Sequence, residues 1–110
     1  MATKVMSEDL LLLVAERFKV LGEPARLRIL SELRTGEATV TDLVDATEMG
    51  QANVSKHLQL LHTLGFVKRR KEGLHVYYSL ADVTVFQLCD VMCGRIAKET
   101  RDRRRVVAGR

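Results

Sequence analysis

QANVSKHLQLLHTLGFVKRRKEGLHVYYSL, residues 51–80, is the stretch that decides how this chain folds. Its first half repeats with the period of a helix. Val54, Leu58 and Leu61 recur at i, i+4 and i+7, while Ser55, Lys56 and Gln59 fall on the opposite side. Gly65 stops that helix. The spacing then drops to two: Val76, Tyr78 and Leu80 alternate with Tyr77 and Ser79. Residues 66–71 and 75–80 therefore read as strands, with Glu72 and Gly73 as the hairpin turn. Two strands alone are marginal in water, so the hairpin must pack on helices.

Working outward, residues 8–21 carry Leu10, Leu11, Val14, Phe18 and Leu21 on one helical face, behind a Ser7 cap and acidic Glu8 and Asp9. Gly22 breaks this first helix. Pro24 suits the first turn of a second, which carries Leu27, Ile29, Leu30 and Leu33 before Gly36. Thr41 begins a short third helix with Leu43 inward, and Gly50 closes it. After the hairpin, a last helix runs from Asp82 to about Ala97. The order α-α-α-α-β-β-α is mainly α with a small two-stranded β-hairpin. Short helices joined by a tight turn and followed by a basic hairpin lay out a winged helix-turn-helix. We expect one domain over residues 1–110, with an ordered core of about 8–98 and a frayed basic tail over 99–110.

Composition agrees with a globular chain: 46% hydrophobic and 29% charged among 110 residues. Trp is absent and aromatics make up 5%, which excludes a ring-stacking platform for single-stranded nucleic acid. Net charge is only +4, so placement matters more than amount. Lys68, Arg69, Arg70 and Lys71 form one basic block, and Arg101, Arg103, Arg104, Arg105 and Arg110 crowd the tail. Beside a groove-reading helix the first block points to phosphate; the tail implies weak, non-specific attraction to DNA. No export signal or bilayer-length apolar run is present, so a cytoplasmic protein with reduced thiols and no membrane contact is expected.

The polar side of residues 51–64 carries the groups that a major-groove helix needs. Gln51 and Asn53 offer paired donors and acceptors near its N-terminus, Ser55 and Lys56 suit phosphate, and Gln59 lies a turn further on. Arg69 and Lys71 in the hairpin are placed to straddle the backbone or probe the minor groove, adding salt-dependent affinity. His57 flanks the apolar stripe and reads as a partly buried structural residue rather than a base contact.

LGEPARLRIL (21–30), residues 53–80 and the helix after them resemble the ArsR/SmtB family of bacterial repressors. The likeness spans roughly residues 18–98. It implies a homodimer built from the first and last helices, the helix from Gln51 as recognition helix, and release from operator DNA when an inducer binds. The family's two kinds of metal site are not reproduced. Thr39 and Thr41 stand where one has a Cys-x-Cys pair, and Asp82, Thr84, Arg95 and Lys98 stand where the other has its Asp, His and Glu ligands. Hydroxyls are poor ligands for soft metals, and cations oppose them, so neither usual site nor a resident cofactor is expected.

Cys89 and Cys93 remain, four residues apart on the last helix among Val85, Phe86, Met92, Ile96 and Ala97, the face expected to meet the partner subunit. Two readings stand open. Buried cysteine packs as a small hydrophobe, which makes this stripe plain dimer core. Alternatively the thiols sense an inducer. Side chains four apart hold Cβ atoms about 5–6 Å apart, against about 3.8 Å in a disulfide, so a bond within one helix is strained. Pairing across the dimer, persulfide or oxidation chemistry, or capture of arsenite or another thiophilic ion is easier. The expected function is thus an inducible repressor. The alternative is a winged-helix interaction module without DNA readout. An enzyme is not expected, since His57, His62 and His75 all lie in the DNA-reading half, away from the thiols.

Overall fold

Four of the five helices among the described residues begin where a side chain accepts from one of their first amides. The computed structural model describes residues 5–109. Among them lie α1 (Glu8–Leu21), α2 (Pro24–Leu33), α3 (Val40–Thr47), α4 (Gln51–Thr63), β1 (Val67–Glu72), β2 (His75–Leu80) and α5 (Thr84–Gly109). The amide of Leu10 donates to Ser7 Oγ at 3.2 Å to open α1. In α2 the Glu23 carboxylate accepts from the Ala25 amide, and Pro24 takes the first turn. α3 opens one residue earlier than Thr41, because Thr39 and Asp42 cap each other's backbone amides at 3.1 and 3.0 Å. Glu48 closes α3 in the left-handed region at φ 60°, which turns the chain into α4.

One core joins these elements. Ile29, Leu30 and Leu33 of α2 meet Leu43 of α3 and Val54, Leu58 and Leu61 of α4. Val20, Val67, Tyr78, Val85 and Phe86 close it from α1, the hairpin and the root of α5. The fully buried side chains come from α2, α3 and α4, so the helix-turn-helix is the rigid centre of the molecule.

The hairpin turn sits one residue later than expected. β1 runs through Glu72, which pairs with His75, and leaves Gly73 and Leu74 as the two-residue turn. Gly73 has φ 60° at the first central position, which is the geometry of a II′ turn and is open to glycine without strain. The hairpin also gains a neighbour that no local pattern announced. Ala38 bridges Tyr78 through two backbone hydrogen bonds of 2.9 and 2.8 Å, tying the wing to the segment before α3.

α5 departs furthest from expectation. It starts at Thr84 rather than Asp82, because Asp82 Oδ1 accepts the Thr84 amide at 2.7 Å and acts as the cap. It then continues past Ala97 to Gly109, a run of 26 residues, so the tail read as frayed is helical to that point. Arg110 and the side chain of Arg105 lie outside the described residues. Between Gly94 and Gly109 there is no breaker, and Ala97, Lys98, Glu99 and the arginines favour helix. Residues 91–104 of the helix are all exposed. The projection raises the radius of gyration to 17.6 Å, against about 13 Å for a compact chain of this length.

Candidate nucleic-acid interface

The burial of three residues aims α4. Val54, Leu58 and Leu61 are 0% exposed, which turns Gln51, Asn53, Ser55, Lys56 and Gln59 to solvent. All five expected contacts are uncovered. Gly50 caps α4 with no side chain, so the first amides of the helix keep no intrahelical partner and point outward with the positive end of the helix dipole. A carboxamide near that end matches the N6 and N7 edge of adenine, while a hydroxyl and an ammonium suit phosphate oxygens.

The wing supplies cations, but not the four that the basic block contains. Lys68, Arg69 and Lys71 are exposed and form no ion pair among the described residues. Arg70 is engaged. Its Nη2 lies 2.7 Å from Glu37 Oε1, its Nη1 donates to Glu72, and its guanidinium stacks 4.7 Å from the Tyr77 ring centroid. These carboxylates hold Arg70 protonated well beyond its usual range, and Arg70 in turn pushes the Glu72 carboxyl down. Arg70 therefore braces the wing against the segment before α3, and Arg69 and Lys71 stay uncovered.

His57 is half-buried beside α2, as its position on the stripe implied. Arg26 Nε donates to the Val20 carbonyl at 2.7 Å, and Arg26 Nη1 lies 3.3 Å from His57 Nδ1. Because a guanidinium only donates, Nδ1 must accept, which leaves the ring neutral with its proton on Nε2. Burial lowers the His57 pKa below its ordinary 6.5, with Arg26 and Lys56 adding to the effect and Glu23 opposing it. A depressed histidine value means that the unfolded chain takes up the proton first, so this stability is present above about pH 6.5 and lost as pH falls through the folded value. Urea midpoints measured from pH 7.5 to 5.5 are expected to fall less steeply for His57→Gln, whose amide still accepts from Arg26. Identical pH slopes in the two proteins would show that the Arg26 contact has no such effect.

The chain and its fold are similar to known proteins. Residues 23–69 match the family model for bacterial regulatory proteins of the arsR family. The chain is 35% identical to the homodimeric winged helix-turn-helix DNA-binding domain of Mb0332 from Mycobacterium bovis. That likeness covers 90% of this chain and 92% of that one, with a TM-score of 0.69. The chain belongs to the ArsR family. It is also 42% identical over 85 residues to the transcriptional repressor SmtB homolog of Synechocystis sp., over 77% of this chain and 64% of that protein. The AntR antimony-specific transcriptional repressor superposes with a TM-score of 0.78 at 27% identity, over 92% of both chains. The chain spans 64% of the length of the first curated relatives that it matches.

Of the residues standing at the ArsR-family metal-ligand positions, Thr39, Asp82 and Arg95 have other partners. Thr39 and Asp82 are helix caps, and Arg95 pairs with Glu99 at 3.6 Å. The cysteine stripe divides. Val85 and Phe86, expected to face a partner, are buried in the chain's own core, and Cys89 is half-buried against them. Cys93, Met92 and Ile96 are exposed. At the root of α5 Val85 and Phe86 are buried, with Arg34 over the Phe86 ring, whereas residues 91–104 are exposed. Burial pushes the Cys89 thiol up, with Cys93 and Asp90 adding to the rise and Arg34 opposing it. What sequence reasoning missed are the braces, Arg70 with Glu37 and Arg26 with His57. Each joins residues more than thirty positions apart, which no periodicity encodes.

Proposed function

We propose that this ArsR-family chain is a cytoplasmic transcriptional repressor that binds double-stranded operator DNA as a homodimer. The single observation that carries the reading is the uncovered polar side of α4, flanked by the free cations of the wing. A module that had abandoned DNA would have no reason to leave that combination open. Gln51 and Asn53 read base edges, Ser55, Lys56 and Gln59 hold the duplex, and Arg69 and Lys71 reach the neighbouring backbone or minor groove.

The homodimer rests on a second observation. Leu10, Leu11, Leu12, Leu13 and Phe18 of α1 and Leu88, Val91, Met92 and Ile96 of α5 are large, apolar and exposed in the single chain. Two adjacent helices carrying that much unpaired apolar surface call for a partner. A second copy placed across α1 and α5 buries it and presents two α4 helices to one face of DNA.

The inducer acts through Cys89 and Cys93 and belongs to the thiophilic class: a trivalent arsenic- or antimony-like ion, or a reactive sulfur or oxygen species. Support comes from the pair's placement at the point where α5 leaves the body, and from the antimony-specific relative. Cys93, being exposed, reacts first, since Cys89 is half-buried and burial pushes its thiol up. A second reading, that the cysteines only pack, is favoured by the half-buried position of Cys89.

One titration separates these readings. Reduced protein is added to duplexes from the promoters of its own and neighbouring genes, followed by arsenite, cadmium, zinc, peroxide and persulfide in turn. Binding that weakens steeply with salt is expected, with release by a thiol-reactive agent and no release of the Cys89→Ser, Cys93→Ser variant. Release of that variant by the same agent would sink the thiol reading, and no binding at low salt would sink the repressor.

A further inference from the structure

We propose that Arg34 is the positioning residue that fixes the tilt of α5 on the helix-turn-helix, and so sets the spacing of the two recognition helices in the dimer. The inference rests on the repressor reading above. Arg34 terminates α2, and its amide donates to the carbonyls of Leu30 and Ser31, each at 3.2 Å, so its backbone is anchored. Its guanidinium lies 4.6 Å from the centroid of the Phe86 ring. Its Nη1 and Nη2 donate to the two oxygens of Asp90 at 3.4 and 3.3 Å. Phe86 and Asp90 are one helical turn apart, so a single planar group grips α5 at two points: a face contact and a forked hydrogen bond.

The grip matters because, within one subunit, little else among the described residues fixes the angle of α5. Among the described residues, Arg34 makes the one side-chain hydrogen bond or ion pair that joins α5 to another element. The remaining attachment is apolar packing of Val85, Phe86 and Cys89, which permits rotation more readily than a fork does. α2 packs on both α3 and α4, so an angle set at its C-cap, Arg34, is an angle set relative to α4. Both charged partners are more than half exposed, at 54% and 59%. A pair that open adds little to folding stability, so its removal leaves folded protein.

The test uses the full chain and a duplex selected by the wild-type protein from a random-sequence pool, together with the same duplex carrying one scrambled half. Arg34→Gln and Asp90→Asn are both expected to lower affinity for the full site at least about fivefold, with little change on the half-scrambled duplex. The combined variant is expected to be no worse than either alone, since both remove one interaction. The two substitutions change net charge in opposite directions, so simple attraction to phosphate predicts weaker binding for the first and tighter binding for the second. Opposite shifts, wild-type affinity in both, or equal losses on full and half-scrambled duplexes would overturn the role of Arg34 while the repressor stands. Failure of the wild-type protein to enrich any sequence would overturn the repressor reading itself.

Discussion

Leu58→Ala is expected to remove about 3 kcal/mol of folding stability, within the roughly 2–5 kcal/mol seen when a buried leucine is truncated in a packed core. Leu58 is fully buried on α4, among Ile29, Leu30, Leu43, Val54 and Leu61, which are buried to the same degree. Three helices converge there, so no surface loop can collapse into the cavity. Against a total stability of about 5–15 kcal/mol for a small domain, the loss is large. It falls on the helix whose other side carries Gln51 and Asn53, so DNA binding weakens with folding. Urea denaturation at one fixed protein concentration checks it, because a dimer's midpoint moves with concentration. A change under about 1 kcal/mol would mean that the stripe of Val54, Leu58 and Leu61 is not the central packing surface.

Phe18→Glu is expected to have the opposite profile: an intact fold and a lost dimer. Phe18 is 59% exposed in the single chain, so a carboxylate there costs the isolated subunit little. Placed against a partner's apolar face, the same carboxylate is buried without a counter-ion, which strongly disfavours association. A monomer reads one half-site and forfeits the second, effectively intramolecular contact, so operator affinity is expected to drop about 100-fold or more. Sedimentation shows the subunit number and anisotropy the affinity. A variant that stays dimeric would place the interface away from α1.

The elements that were legible in the sequence are those whose pattern is local. The i, i+4, i+7 stripe of Val54, Leu58 and Leu61 locates α4 and its exposed side together, because burying one face of a helix dictates the other. The hairpin was legible as a change of period, yet its turn was misplaced by one residue. Glu72–Gly73 and Gly73–Leu74 are both plausible glycine turns by composition, and the pairing of Glu72 with His75 decides between them. The Ala38–Tyr78 bridge and the capture of Arg70 by Glu37 join positions far apart in the chain, so the basic block looked like four equivalent cations. α5 runs past the expected end near Ala97 because the charge-dense residues that follow are themselves good helix formers.

The length of α5 has a mechanical meaning. At 1.5 Å per residue its 26 residues form a rod of about 39 Å, held at one end by Phe86 and its neighbours. A pivot of about 10° at that end sweeps the far tip by about 7 Å over such a rod. Paired reading heads on B-DNA must stay about 34 Å apart to meet successive grooves. Under the proposed thiol mechanism, a small displacement at Cys89 or Cys93, near the held end, is enlarged along the rod.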